Sequence, residues 1–419
     1  MASTVYLVRQ RLYYGWVLVG TLGVTETISW GVLYYAFTVY LTPMASELGW
    51  SRGEITGAFS VAVLLAGLAA VPAGRWLDRN GPRLLMTVGS IIATLLVLAW
   101  SQVSNLTELY VIWAAIGLTM AATLYDPAFA VANRWFSRRR VQALTAITLM
   151  AGFASTIFIP LAGALVQAQG WRQSLITLAA ILAIGTIAPH ALLLRARPED
   201  IGLHPDGGAR SPTYVKGPTN SGMAVGEAVR HASFRWLSSA FFLTSVTTAA
   251  VGIHLLPYLS DRGYDLTFAA LVTGSIGAMQ VLSRLVLTPF GSRISPWALG
   301  IGVLALQPLS LLFLLLGRTT LGLLIFVVLF GAQRGLATLV RPALLADLYG
   351  VLRYASIAGV LQFSLAIAQS VAPYSAGVAY DALGSYEPVF WGLTLIAALS
   401  VAAMLPVRRY TTGKLKSWP

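Results

Sequence analysis

Apolar residues along this chain gather into twelve long blocks, at about 14–40, 53–77, 84–103, 107–132, 141–167, 172–194, 234–260, 266–290, 296–317, 319–346, 353–380 and 386–406. Each clears the roughly 20 residues that a helix needs to cross about 30 Å of hydrocarbon, so each predicts one membrane-spanning helix. Between the sixth and seventh blocks the pattern lapses. From Arg195 to Ser233, residues such as Pro198, Gly202, Pro205, Gly207 and Pro212 punctuate a polar stretch. That composition reads as a linker, with a short surface helix around 223–232. The predicted architecture is therefore an all-α membrane protein with twelve transmembrane helices in two pseudo-symmetric six-helix bundles. Residues 1–194 and 234–419 form the bundles, and 195–233 join them.

The second half repeats the first weakly. Asp126-Pro127-Ala128, at the end of the fourth block, aligns with Arg341-Pro342-Ala343 at the end of the tenth. Some thirty residues further on come Pro160 and Pro373, each trailed by a glycine, Gly163 and Gly377. Blocks four and five thus read as a diverged copy of blocks ten and eleven.

Composition agrees with a membrane protein. Hydrophobic residues make up 57% of the 419 and charged residues 10%, where a soluble domain carries about 25% charged. The net charge of +13 is mostly topogenic. With the N-terminus inside, 21 of the 28 Lys and Arg fall on the cytoplasmic side, and four (Arg52, Arg172, Arg262, Arg318) fall outside. Positive charge is retained in the cytoplasm, so both termini are predicted there, and a nucleic-acid partner has little support. Arg9 and Arg11 precede a long first block with no small-residue cleavage site, so no cleavable signal peptide is expected. The absence of cysteine excludes structural disulfides and thiolate metal sites. Four histidines (His190, His204, His231, His254) stand without ligand spacing, and no phosphate loop is present. Neither an enzyme nor a bound cofactor or metal is expected. A multi-pass protein in a bacterial inner (plasma) membrane, with a monomer as the default state, is the reading that remains.

Charge inside the blocks is scarce, and its placement carries the candidate chemistry. Glu26 is in block one, Asp126 in four, His254 in seven, Arg284 in eight, and Arg334 and Arg341 in ten. The interiors of blocks three, six, nine and twelve have no Asp, Glu, Lys or Arg. Charges avoid lipid and gather at bundle interiors or water-filled paths. The acids lie in the first half and the arginines in the second. A guanidinium matches a carboxylate with two parallel hydrogen bonds, which makes Arg284 the first candidate for binding an anion. Arg334 shares that task or bridges to Glu26. Glu26 and Asp126 are candidates for carrying a proton, because an apolar setting favours the neutral acid; simple packing is the alternative for Glu26. Asp126 and Arg341, at the same depth on opposite sides of a cavity mouth, either pair when that mouth closes or cap their own helix ends. His254 relays protons, contacts a ligand, or packs. Tyr34 and Gln333, with Trp30, Tyr35, Phe129 and Gln362, fall on spacings suited to a cavity wall.

Between blocks two and three stands Gly74-Arg75-Trp76-Leu77-Asp78-Arg79-Asn80-Gly81-Pro82-Arg83. Gly74 would let two helices approach closely, and Gly81-Pro82 would make the turn. The stretch resembles the signature loop between helices 2 and 3 of the major facilitator superfamily, with Pro82 where a second arginine is more usual. That resemblance implies that helices 1, 4, 7 and 10 line a central cavity, and it assigns Asp78 and Arg79 to gating. Block five lacks the Gly-Pro-x-x-Gly-Gly pattern of the drug–proton antiporters. The chain looks most like the monocarboxylate-transporter-like branch, which includes oxalate–formate antiporters, on Gly15-Trp16, Gly49-Trp50-Ser51-Arg52, the loop above and Arg284. The branch implies a secondary active transporter of a small organic anion, a monocarboxylate coupled to protons by symport and alternating access, with the helix-8 arginine on the carboxylate. An antiporter or exporter of another anion or a neutral metabolite is the alternative. Two positions depart from the branch: Tyr34 stands near its helix-1 lysine, and Gln280 stands for the acid one turn before the arginine.

The charge asymmetry makes a topological prediction. A fluorescent protein fused after Pro419 should mature and fluoresce, and alkaline phosphatase inserted at 103–107 should be active; the reverse pattern would invert the orientation.

Overall fold

A computed structural model describes residues 13–136, 139–207, 223, 225–287, 295–317, 319–349 and 354–411. Its helices in chain order are α1 (Tyr14–Trp30), α2 (Phe37–Leu48), α3 (Arg52–Asn80), α4 (Pro82–Trp100), α5 (Leu106–Thr123), α6 (Tyr125–Trp135), α7 (Arg140–Ala151), α8 (Ala154–Leu182) and α9 (Ala188–Leu193). After the polar segment come α10 (Val225–Arg230), α11 (Ala232–Asp261), α12 (Leu266–Leu287), α13 (Pro296–Leu316), α14 (Thr320–Tyr349), α15 (Tyr354–Leu383), α16 (Tyr386–Met404) and the short α17 (Arg408–Thr411). The described residues contain eleven helical runs long and apolar enough to cross a membrane.

One of those runs, Gln142–Leu193, spans 52 residues and covers two of the predicted blocks. As a straight helix it would extend ~78 Å at 1.5 Å per residue, more than twice the hydrocarbon thickness. The chain turns instead at Gly170, whose φ of 78° and ψ of 165° are open to glycine at little cost. Gln169 Nε2 donates to Thr177 Oγ1 at 2.8 Å, eight residues further on. Beside the turn, Arg172 reaches the Ser101 and Val103 carbonyls at 2.9 and 3.1 Å.

Local signals set most other helix ends. Ser51 and Glu54 form a reciprocal capping box on α3. Asn105, Ser295 and Ser385 cap α5, α13 and α16 through their side-chain oxygens. The fourth predicted block is broken at Leu124, whose extended backbone separates α5 from α6. Pro127 then sits in the first turn of α6, where a proline removes no helical hydrogen bond. Its counterpart Pro342 lies within the unbroken α14.

The stretch 74–83 is less of a loop than its polarity suggests. Helix α3 continues through Asn80, Gly81 alone leaves the helix at φ 79°, and Pro82 opens α4. Around Gly74 an added Cβ would meet nothing within 4 Å, so the close approach expected there is absent. It is found at Gly117, where a Cβ would fall 2.2 Å from the Ala62 carbonyl oxygen. Arg79 is exposed, and the side chain of Asp78 lies outside the described residues.

Helices α1–α9 pack mainly on one another, as do α11–α16; the joins between the two sets are α3 with α15, α8 with α12, and α2 with α11. Glycines bring these joins to backbone contact. A Cβ on Gly377 would lie 2.5 Å from Thr56 Oγ1 and 2.9 Å from the Gly53 Cα. Gly274 and Gly277 meet the Ser155 and Gly152 carbonyls in the same way. At the end carrying the Arg52 and Arg262 turns, charge closes the join. The Arg52 guanidinium donates to both carboxylate oxygens of Asp261 at 3.0 and 2.8 Å. It also lies over the rings of Tyr380 and Tyr386, 4.2 and 4.8 Å from their centroids. Asp381 accepts from the Arg52 and Gly53 backbone amides at 3.1 and 2.8 Å. About two turns deeper along α11, Thr38 Oγ1 donates to the Ile253 carbonyl at 2.7 Å. This is the sealed end. The opposite, basic end carries Arg75, Arg79, Arg83, Arg134 and Arg139.

The glycine contact at 377 makes a testable demand. In this cysteine-free chain, Thr38→Cys should label slowly with maleimide, because Thr38 is 1% exposed. Adding Gly377→Val, which has no space against α3, should raise that labelling rate severalfold while the protein stays folded by circular dichroism.

Candidate functional site

Below the Thr38–Ile253 bond lies a cavity of about 240 Å³, bordered by the end of α1, the residues just after it, and parts of α11, α12, α14 and α15. Its floor begins with a widened turn. Gly31–Tyr35 is a π-helical segment, closed by the Ala36 amide on the Gly31 carbonyl at 2.8 Å. Such single wide turns recur at functional sites. Gly31 permits it locally, since a Cβ would sit 2.2 Å from the Phe158 ring. The turn presents Trp30, Tyr34 and Tyr35 together: the Trp30–Tyr34 and Tyr34–Tyr35 ring centroids are both 5.2 Å apart. Tyr125 of α6 joins them, 5.1 Å from Trp30.

The facing wall is a set of neutral polar side chains. Thr244, Ser245 and Thr248 come from α11, Gln280 from α12, Gln333 and Thr338 from α14, and Gln369 from α15. Buried Gln307 on α13 stands behind them. Its Nε2 donates to Thr248 Oγ1 at 2.9 Å and to the Thr244 carbonyl at 3.2 Å, while its Oε1 accepts from the Thr244 hydroxyl. Thr244 in turn accepts from Gln333 Nε2 at 3.2 Å.

Two guanidinium groups enter the cavity itself. Arg334 and Arg341 line it, with Arg334 Nη2 3.5 Å from Tyr35 Oη. Arg284 is held alongside. Helices α12 and α14 pack backbone against backbone because Gly331 and Gly335 have no Cβ to collide with Ile276, Met279, Gln280 and Ser283. Across that contact Arg284 Nε donates to the Gly335 carbonyl at 3.1 Å, in electrostatic range of Arg334, Tyr35 and Tyr125. Arg284 is half-buried and is not among the lining residues. Arg334 and Arg341 therefore face the open space, and Arg284 stands beside them.

The acids are arranged differently from the arginines. Glu26 is fully buried, and neither carboxyl oxygen has a hydrogen-bond partner. Trp30 Nε1, one turn on, is near it but outside hydrogen-bond geometry. A bridge between Glu26 and Arg334, one of the two sequence alternatives, is not formed. Asp126 is exposed, in the first turn of α6 and within electrostatic range of Glu26.

His254 departs most from the ligand-contact expectation. It is fully buried away from the cavity lining. Its Nε2 lies 2.8 Å from the Pro373 carbonyl, which can only accept, so Nε2 carries the proton and Nδ1 accepts from Tyr386 Oη at 2.8 Å. Tyr386 lies beneath Arg52, so this histidine supports the sealed end. Gln362 is exposed outside the cavity, and Phe129 stacks on Tyr125 at 5.0 Å. No lining residue comes from the fourth predicted block. Gln369 and the α11 hydroxyls escaped the sequence reading because neutral polar residues in an apolar helix give no charge signal. Their i, i+4 repeat at Thr244 and Thr248 was the available clue.

Comparison with known proteins adds independent findings. Residues 22–338 match the family model of the Major Facilitator Superfamily. Monocarboxylate transporter 13 of Bos taurus is 24% identical over 404 residues, covering 94% of this chain and 89% of its own. Monocarboxylate transporter 11 of Homo sapiens is 26% identical over 405 residues, covering 90% and 79%. Among solved structures, a bacterial homolog of the human lysosomal transporter Spinster, in an inward-facing and occupied conformation, superimposes with a TM-score of 0.72 at 15% identity, covering 98% of this chain and 99% of its own.

Proposed function

The chain belongs to the major facilitator superfamily, and from that premise we propose that it moves a small organic anion, a monocarboxylate, across the membrane by proton-coupled symport. The observation that carries the reading is the pairing of Arg334 with Tyr35 inside the cavity, with Arg284 held alongside it by the Gly335 carbonyl. Two guanidinium groups at one place, with no carboxylate among the residues lining it, attract an anion strongly in a low-dielectric setting. The relatives named monocarboxylate transporter support the same substrate class.

The coupling proton is assigned to Glu26. It is a buried carboxyl without a partner, and an ionised group there would be costly. Asp126, exposed and within electrostatic range of it, is the route to solvent. Residues 1–194 and 234–419 rock as two bodies about the cavity, joined by the linker over 195–233. With the basic end in the cytoplasm, the present conformation is inward-facing, sealed at Arg52 and Thr38. In the opposite conformation Asp126 approaches Arg341 and closes the cytoplasmic mouth, while Asp78 and Arg79 steady that side. The location is a plasma membrane.

Counterflow and uptake of labelled lactate, pyruvate and oxalate in proteoliposomes, with and without a pH gradient, test the reading. Arg284→Ala and Arg334→Ala should each reduce uptake at least about tenfold, since a hydrogen bond to a charged group contributes about 1.5–3 kcal/mol. Glu26→Gln should keep counterflow and lose the response to the pH gradient; unchanged gradient dependence would remove Glu26 from the proton path. For the gate, Asp126→Arg should be inactive alone and regain transport when combined with Arg341→Asp. Failure of that rescue, with full activity in Arg341→Ala, would sink the gate.

A further inference from the structure

A bare carboxylate needs the arginines and little else, yet nine of the other fourteen lining residues carry a hydroxyl or an amide. Ligand cavities are usually apolar with a few placed polar groups. Here six hydroxyl and three glutamine side chains line the space together with the arginines. One atom among them says what the ligand must offer. Gln333 is 1% exposed, and its Oε1 has no hydrogen-bond partner.

The orientation of that amide follows from the network behind it. Gln307 Nε2 donates to Thr248 Oγ1, so Gln307 Oε1 is the end that accepts the Thr244 hydroxyl proton. With its proton committed, Thr244 Oγ1 can only accept from the next neighbour, and Gln333 Nε2 supplies that bond. The carbonyl oxygen of Gln333, a residue that lines the cavity, is thereby left as a buried acceptor without a partner. A carboxylate or a ketone cannot satisfy it, because both are acceptors themselves. The ligand must bring an O–H or N–H. An ammonium is disfavoured beside Arg334 and Arg341, with no acid among the lining residues.

We propose that the substrate of this cavity is a hydroxylated monocarboxylate, its carboxylate toward Arg334 and Tyr35 and a hydroxyl of its chain donating to Gln333 Oε1. Gln280, Gln369 and the remaining α11 hydroxyls, Ser245 and Thr248, take further hydroxyls along the chain. Gln333 is thus the specificity residue, and Gln307 positions it through Thr244. This inference rests on the anion reading above and narrows it.

Equilibrium binding to the purified full chain tests it with two sets of acids matched in length: glycerate, propionate and β-alanine; and gluconate, hexanoate and 6-aminohexanoate. In at least one set the hydroxylated acid should bind about tenfold or more tightly than both of its partners, as one or two net hydrogen bonds imply. Gln333→Leu should erase that preference by weakening the hydroxylated acid while leaving the unsubstituted acid unchanged, which also reports that the variant is folded. Should the variant lose all binding, Gln333→Asn, which retains the amide at shorter reach, is read in the same way. Equal or tighter binding of propionate and hexanoate would overturn the inference and leave the anion reading standing. Tightest binding of the amino acids would overturn the hydroxyl assignment. A hydroxyl preference that survives in Gln333→Leu would overturn the role of Gln333. If none of the six binds, the anion reading falls and this inference with it.

Discussion

The structure depends on Arg52 being answered from the other side of the molecule. The residue begins α3, yet its guanidinium and backbone amide are taken up by Asp261 and Asp381, at the ends of α11 and α15. Two tyrosine rings lie against the cation, and His254 fixes one of them. A partly exposed ion pair alone would contribute little. Its weight comes from being the cap on a glycine-lined join, where α3 meets α15 at Gly53 and Gly377 with almost no side chain between them. Such close contacts are sensitive to small displacements, because a gap of about 0.5–1 Å already forfeits roughly a quarter to a half of the dispersion gain. The cavity is one-sided for this reason, with Thr38 and Ile253 as its roof.

Much of this was legible in the amino-acid order. Block length and the distribution of arginine reveal a membrane protein, and the stretch ending in Gly81-Pro82 reveals the superfamily. The scarcity of buried charge directs attention to blocks one, seven, eight and ten, which border the cavity, and also to block four, which supplies no lining residue. Glycines and polar networks were harder to read. Gly74 looks like a packing glycine and is not one, while Gly117, Gly335 and Gly377 are; composition cannot say which face of a helix meets another backbone. Arg284 was singled out by its type and position. The structure adds that Arg334 shares its place and lies nearer the open space, a matter of helix azimuth that a sequence shows only to within tens of degrees. His254 was open to chemistry or to packing; the structure occupies both ring nitrogens, Nε2 donating to the Pro373 carbonyl and Nδ1 accepting from the Tyr386 hydroxyl.

Polar side chains on α11, α13 and α14 do two jobs at different depths. Gln307 is fully buried and has both ends of its amide occupied, so it stiffens the wall without meeting the cavity. Gln333, in direct contact with that wall, keeps one end unused. The network thus transmits order from a satisfied amide to an unsatisfied one. That arrangement leaves the end of a structural hydrogen-bond chain with an unused acceptor on a residue that lines the cavity.

The wide turn at Gly31–Tyr35 carries one more residue than an α-helical path would use. Each residue of a regular helix advances the side-chain bearing by about 100°. That surplus therefore decides how Glu26, upstream, is aligned with Tyr35 and Thr38, downstream. Removing one residue anywhere in the turn would preserve the hydrophobicity and length of the first membrane segment almost unchanged. It would still swing the acid away from the tyrosines and the roof. The relation between Glu26, the tyrosines beside Arg334 and the Thr38 contact is encoded here in a residue count, which no substitution at any single position can reproduce.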